Sequence, residues 1–142
     1  MLLPASDKLL VIDDDATFCK IIAAAGKSRG FDSRCYGSLV DMGSFARIKE
    51  FDIAIIDYYL GSMHGDEIAE YVDTFFRNVP VLIVSARNFD KDQVAKWPDS
   101  VRRFVSKSSG ADNIIASARE VLDRSRLLQR LSNRGTTQVS AG

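Results

Sequence analysis

Four short apolar runs in this chain end in residues that could share one reaction. Leu9-Leu10-Val11-Ile12 runs into Asp13-Asp14-Asp15, Ile53-Ala54-Ile55-Ile56 into Asp57, Val81-Leu82-Ile83-Val84 into Ser85, and Phe104-Val105-Ser106 into Lys107. Carboxylates held within a few ångströms of one another repel and raise each other's pKa unless a cation neutralises them. An all-oxygen donor set of this kind suits Mg²⁺ better than zinc. With a lysine beside the metal, an incoming phosphoryl group would be screened on two sides, and an aspartate could attack phosphorus to give an acyl phosphate. Ser85 would then donate a hydrogen bond to one phosphoryl oxygen. Each residue also has a plainer reading. A lone Asp at a strand end is more often a turn former or helix cap, and Asp15 is read as the cap of the helix that follows. Ser85 alone could be a cap, and Lys107 alone a solvated charge. The order of four strand ends is what favours chemistry.

Those ends can meet only if the runs lie side by side. Apolar, β-branched segments alternate five times with helix-like stretches, the pattern of a parallel sheet covered by helices on both faces. Strands are expected near residues 8–13, 33–36, 51–57, 79–85 and 101–106, and helices near 16–28, 39–48, 66–76, 90–96 and 111–131. The second strand is short and polar, as suits a sheet edge. In an open parallel sheet the carboxyl ends of the strands form the ligand site, which gathers the residues above on one edge. Residues 132–142 turn polar and small and are read as a tail or linker.

Composition sets the frame. The chain has 142 residues, 46% hydrophobic and 27% charged, which fits one globular domain and excludes disordered or collagen-like classes. Residues 1–75 carry thirteen acids against seven bases and residues 76–142 six against twelve, so a net charge of zero hides an acidic half and a basic half. A neutral total does not favour a nucleic-acid-coating protein. A domain of this size needs no staple, so Cys19 and Cys35 are expected to be free thiols, and with a single histidine, His64, a zinc site is unsupported. No apolar run is long enough for a membrane span, and the start lacks a secretory signal, so a cytoplasmic protein is expected. Gly26-Lys27-Ser28 is not a phosphate-binding loop, because Ile21 stands where that motif needs glycine.

Taken together, Leu10-Val11-Ile12-Asp13-Asp14-Asp15, the string Asp57-Tyr58-Tyr59-Leu60-Gly61-Ser62-Met63-His64-Gly65, Val84-Ser85-Ala86 and Phe104-Val105-Ser106-Lys107 resemble the receiver domain of response regulators in two-component signalling, the CheY-like superfamily. The resemblance covers about residues 8–123. It implies a flavodoxin-like, doubly wound five-stranded parallel sheet of order 2-1-3-4-5 with five helices, and a domain over 8–131 between a tail at 1–7 and a tail or linker at 132–142. It also implies that Asp57 accepts a phosphoryl group from a histidine kinase or histidine-phosphotransfer protein. Asp14 would hold Mg²⁺ directly, Asp13 would hold it through water, and Asp57 and the Tyr59 carbonyl would add ligands. Ser85 and Lys107 would complete the catalytic set, and Phe104 would be the switch aromatic that follows Ser85. Such a protein is a switch for a downstream effector and not a metabolic enzyme, with no membrane or direct nucleic-acid role. Self-association through the extended last helix is one further reading.

Three departures from the family pattern carry expectations. Gly61 stands where relatives have proline, which predicts a looser loop. Lys107-Ser108 replaces a Lys-Pro step, which predicts a trans bond and a displaced lysine. Tyr59 and Arg87 are bulky where relatives control water access. Two rival readings stand beside the switch. Asp13-x-Asp15-x-Thr17 resembles the nucleophile motif of haloacid-dehalogenase-type phosphatases, with Asp13 attacking and Asp15 as acid/base, but that reading leaves Asp57 and its loop unexplained. The other is a receiver-like adapter that binds partners without phosphorylation. The basic second half, with Arg102, Arg103, Arg119, Arg124, Arg126 and Arg130, is the expected output face.

Overall fold

The structure, a computed structural model, describes residues 5–141, and side chains as far as 134. The expected tail at 1–7 falls mostly outside the described residues, and Asp7 already belongs to the first strand. The strands are β1 (Asp7–Ile12), β2 (Phe31–Tyr36), β3 (Ile53–Asp57), β4 (Tyr59–Leu60), β5 (Met63–His64), β6 (Val81–Ser85) and β7 (Val101–Ser106). The helices are α1 (Ala16–Lys27), α2 (Leu39–Met42), α3 (Gly65–Phe75), α4 (Lys91–Ala95) and α5 (Ala111–Ala141), with 3₁₀ turns at Phe45–Glu50 and Lys107–Ser109. Five strands form one parallel sheet in the order β2-β1-β3-β6-β7, while β4 and β5 pair separately as an antiparallel hairpin. With the hairpin set aside, this is the expected 2-1-3-4-5 order.

Period-two alternation splits the apolar residues between the two faces. Leu9, Val11, Ile53, Ile55, Leu82 and Val84 pack under α1 and α5, while Leu10, Ile12, Ala54, Ile56, Val81 and Ile83 pack under α2 and α3. All twelve are essentially sealed from solvent. Burial on this scale stabilises by about 1.5–3 kcal/mol for each large aliphatic side chain, which is why β1, β3 and β6 read as unbroken apolar runs. Edge strand β2 is mostly half-buried or exposed, but it starts at buried Phe31, opposite Asp7, earlier than its polar sequence suggests.

The structure corrects four expectations. The second helix does not run from 39 to 48. It stops after one turn because Gly43 takes φ +85°, and the chain resumes as a 3₁₀ turn. The last helix does not end at Leu131 but continues to Ala141. No proline interrupts it, and extending a nucleated helix costs little even through polar residues. Cys19 and Cys35 are not free thiols but are joined in a disulfide. Sixteen residues of sequence separation are closed because α1 doubles back over the sheet and β2 returns beside β1, leaving the two Cα atoms 6.1 Å apart.

The fourth correction concerns the basic half. Arg119 and Arg126 both bind Asp7, at 2.8 and 2.7 Å, Arg126 also faces Asp52 at 3.5 Å, and Arg103 pairs with Glu120 at 2.9 Å. The hydrogen bond from Arg126 lowers the Asp7 pKa against the opposing effect of burial, with Arg119 assisting. Half of the expected output arginines therefore fasten α5 to the rest of the molecule. Arg102 and Arg124 remain exposed.

Candidate functional site

The site lies where β1, β3, β6 and β7 end. Asp13 and Asp57 are buried, Asp14 is exposed, and one carboxylate oxygen of each lies within 4.8 Å of the others. Lys107 Nζ sits 2.7 Å from Asp13 Oδ2 and 3.4 Å from Asp57 Oδ2. That ammonium is the ion-pair partner of Asp13 Oδ2, which is otherwise sealed from solvent. Asp13 Oδ1 accepts from the Asp15 backbone at 2.9 Å. The donor set is thus three converging carboxylates, two of them buried, against the Lys107 ammonium, and this excess of negative charge on oxygen donors fits a hard divalent cation such as Mg²⁺.

Local sequence explains each position. Asp15 caps α1, its Oδ1 accepting from Thr17 N at 3.0 Å and Phe18 N at 3.1 Å. This matches the plain reading of Asp15 as a helix cap. Lys107 is not displaced. All described peptide bonds are trans, and in place of Lys-Pro a 3₁₀ turn capped by Ser106 aims the side chain inward. Its ammonium also lies 4.4 Å over the ring of Phe18, a contact that its sequence position gave no reason to expect. Gly61 has a structural reason too. It begins the two-residue turn of the β4–β5 hairpin at φ +61°, a value closed to proline.

Burial raises the pKa of Asp57, and the Asp13 charge raises it further, against the lowering influence of Lys107 and of the Tyr59 backbone N–H, which donates to Asp57 Oδ1 at 3.4 Å. Burial of Lys107 works against its charge, but the two carboxylates outweigh this and raise its pKa. A carboxyl with a raised folded-state pKa favours the fold while protonated and loses that advantage as pH climbs through the raised value. Without divalent cations at neutral pH, Asp57→Asn is therefore expected to stabilise the protein by about 1–2 kcal/mol, the ordinary scale for relieving one buried like-charge contact. Urea unfolding in EDTA checks this. The gain should shrink as pH falls toward the ordinary carboxylate range, and a gain independent of pH contradicts the assignment.

Ser85 is fully buried, and its Oγ accepts from the Arg87 backbone at 3.1 Å. Arg87 lies over the Tyr59 ring at 5.5 Å, so the two bulky residues form one screen beside the site. Phe104 is half-buried and meets Phe89 and Trp97 edge-on at 5.4 and 6.1 Å. Tyr58 extends this aromatic group, packing on Phe89 and on His64, the residue that precedes α3. Sequence periodicity carries no signal for such a cluster, since its members come from four separate segments. No helix among the described residues is long and apolar enough to cross a membrane.

Comparison with known proteins agrees with this geometry. The family model described as the response regulator receiver domain matches residues 9–119. Among similar proteins, the transcriptional regulatory protein ZraR of Klebsiella oxytoca is 26% identical over 119 residues, covering 84% of this chain and 27% of ZraR. The heme response regulator HssR of Staphylococcus saprophyticus is 24% identical over 115 residues, covering 81% of this chain and 51% of HssR. The chain thus spans from about a quarter to half the length of these relatives. Among solved structures, a CheY-like receiver domain from Methanospirillum hungatei superposes with a TM-score of 0.71 at 17% identity, over 85% of this chain and 97% of the other. A Thermotoga maritima response regulator gives 0.71 at 16% identity, over 83% and 98%. With the sheet order, the acidic strand ends and the lysine in place, the chain belongs to the response regulator receiver domain family of two-component systems.

Proposed function

We propose that this protein is a phosphorylation switch in which Asp57 accepts a phosphoryl group from the phosphohistidine of a histidine kinase or phosphotransfer protein. The observation that carries the reading is the placement of Asp57, at the end of β3, facing two further carboxylates and the Lys107 ammonium 3.4 Å away. An Asp57 oxygen attacks phosphorus, the N–P bond of the donor breaks, and the released imidazole takes a proton. Mg²⁺, held by Asp13, Asp14 and Asp57 with the Tyr59 carbonyl, would supply positive charge to the transferring group. Lys107 neutralises the charge that develops on the phosphoryl oxygens, and the buried Ser85 hydroxyl donates to one of them.

Ser85 couples this event to the surface. Turning its hydroxyl toward the phosphoryl group vacates space near Phe104, whose ring then reorients against Phe89 and Trp97. A downstream effector reads that face. The protein acts as a signalling component of the cytoplasm and not as a metabolic enzyme.

Incubation with acetyl phosphate and Mg²⁺ tests the proposal. Intact mass is expected to show one acid-stable, base-labile phosphoryl group, mapped to Asp57 and lost in Asp57→Asn, and beryllofluoride is expected to change Trp97 emission. An adduct on Asp13 would restore the phosphatase reading. No adduct and no beryllofluoride binding at millimolar Mg²⁺ would leave an adapter.

A further inference from the structure

The two cysteines stand on either side of the acidic loop. Cys19 lies in the second turn of α1, nearly buried, while Cys35 lies exposed on the edge strand β2. The segment between β1 and α1 is tied to both. Asp13 donates its backbone N–H to the carbonyl of Tyr36, next to Cys35, at 2.9 Å, and Asp15 accepts from the Cys19 N–H at 3.1 Å. The Cys19 sulfur itself lies 3.5 Å from the Asp13 carbonyl oxygen. A covalent link between the cysteines, together with the Asp13–Tyr36 hydrogen bond, therefore ties both ends of the Asp13–Asp15 segment to the end of β2.

We propose that Cys19 and Cys35 are an exchangeable dithiol–disulfide site, oxidised by small disulfides of the glutathione class, whose state sets how tightly the acidic cluster holds a divalent cation. The coupling rests on the reading of Asp13, Asp14 and Asp57 as a cation site. The exchange itself rests only on the cysteine geometry.

Exposure fixes the order of steps. The Cys35 thiolate attacks one sulfur of the donor, the donor S–S bond breaks, and one donor thiol leaves with a proton. The Cys19 thiolate then attacks the Cys35 sulfur of this mixed disulfide and releases the second donor thiol. Two protein thiols are oxidised and one donor disulfide is reduced to two thiols. In the bridged form the loop carrying Asp13 and Asp14 is held in the conformation described, so less freedom is lost when a cation binds. In the reduced form the end of β2 is joined to this region by the Asp13–Tyr36 hydrogen bond and by packing against α1.

The test uses the whole chain equilibrated in glutathione buffers from reducing to oxidising. Differential alkylation and intact mass are expected to show a Cys19–Cys35 bridge that forms and reverses with the buffer. Calorimetric titration with Mg²⁺ is expected to give binding about threefold or more tighter in the bridged form, as preorganisation predicts. Cys35→Ser should match the reduced protein and ignore oxidised glutathione. A pair that stays unbridged across the range overturns the exchange. A bridge that forms but changes Mg²⁺ affinity less than this overturns the coupling. Absence of Mg²⁺ binding in both forms overturns the cation reading and the coupling with it, while alkylation alone still decides the exchange.

Discussion

Replacing Lys107 with alanine is expected to lower the unfolding free energy by about 2–4 kcal/mol in EDTA, and by much less in millimolar Mg²⁺. Removing one partner of a buried ion pair costs roughly 3–5 kcal/mol because a charge is left behind without compensation. Here two carboxylates, Asp13 and Asp57, would be left, at 2.7 and 3.4 Å from the lost ammonium. The lysine side chain keeps about a fifth of its surface in solvent, which tempers the penalty. A divalent ion bound by the same carboxylates stabilises only the folded state and so restores much of the loss. Lys107→Met keeps an apolar stem against Phe18, and comparing it with alanine separates packing from charge. Urea unfolding with and without Mg²⁺ decides the matter. An identical loss in both conditions would mean that the ion does not share the carboxylates with Lys107. The same variant should accept phosphoryl groups poorly even where Mg²⁺ has restored its stability, since the ion cannot also take the place of the ammonium on the phosphoryl oxygens.

How far the site was legible in sequence follows from which forces place each part. Strands with both faces buried announce themselves as apolar runs, so β1, β3 and β6 and the residues at their ends could be read directly, and sheet topology then brought Asp13, Asp14, Asp57, Ser85 and Lys107 to one edge. What escaped is set by tertiary placement or by backbone conformation. The Cys19–Cys35 proximity depends on how α1 lies over β2, which no local pattern records. The break after Met42 depends on one positive φ at Gly43, whereas the apolar positions of residues 39–48 suit a continuous helix. The hairpin at Tyr59–His64 is too short for alternation to show, and its glycine was read as a source of looseness although it is what the tight turn requires. The arginines of the basic second half look alike in sequence, yet Asp7, at the start of β1, claims two of those on α5.

Gly65→Ala is expected to destabilise the protein by about 2–3 kcal/mol, the range of overpacking at a rigid contact, and to weaken Mg²⁺ binding together with it. A Cβ built at this position would stand 2.7 Å from the Asp57 carbonyl oxygen, 3.0 Å from Tyr58 Cα and 3.2 Å from the Asp57 carbonyl carbon. All three are backbone atoms, so no side-chain rotation relieves the clash. The Gly65 N–H also donates to the Tyr58 carbonyl at 2.7 Å, which pins the first residue of α3 against the end of β3. Any movement that admits the methyl group therefore displaces the backbone carrying Asp57, and a site that depends on carboxylates converging within 4.8 Å loses its geometry. Gly61→Ala is the informative contrast. Its Cβ would meet nothing within 4 Å, so only the strain of φ +61° remains, about 1 kcal/mol, and it falls in the hairpin turn rather than against Asp57. Chemical unfolding and Mg²⁺ titration of both variants should separate them, with Gly65→Ala losing cation affinity and Gly61→Ala largely keeping it. Wild-type stability and cation affinity in Gly65→Ala would show that the junction of β3 and α3 is looser than the contact distances require, and that the position of Asp57 is fixed by other means.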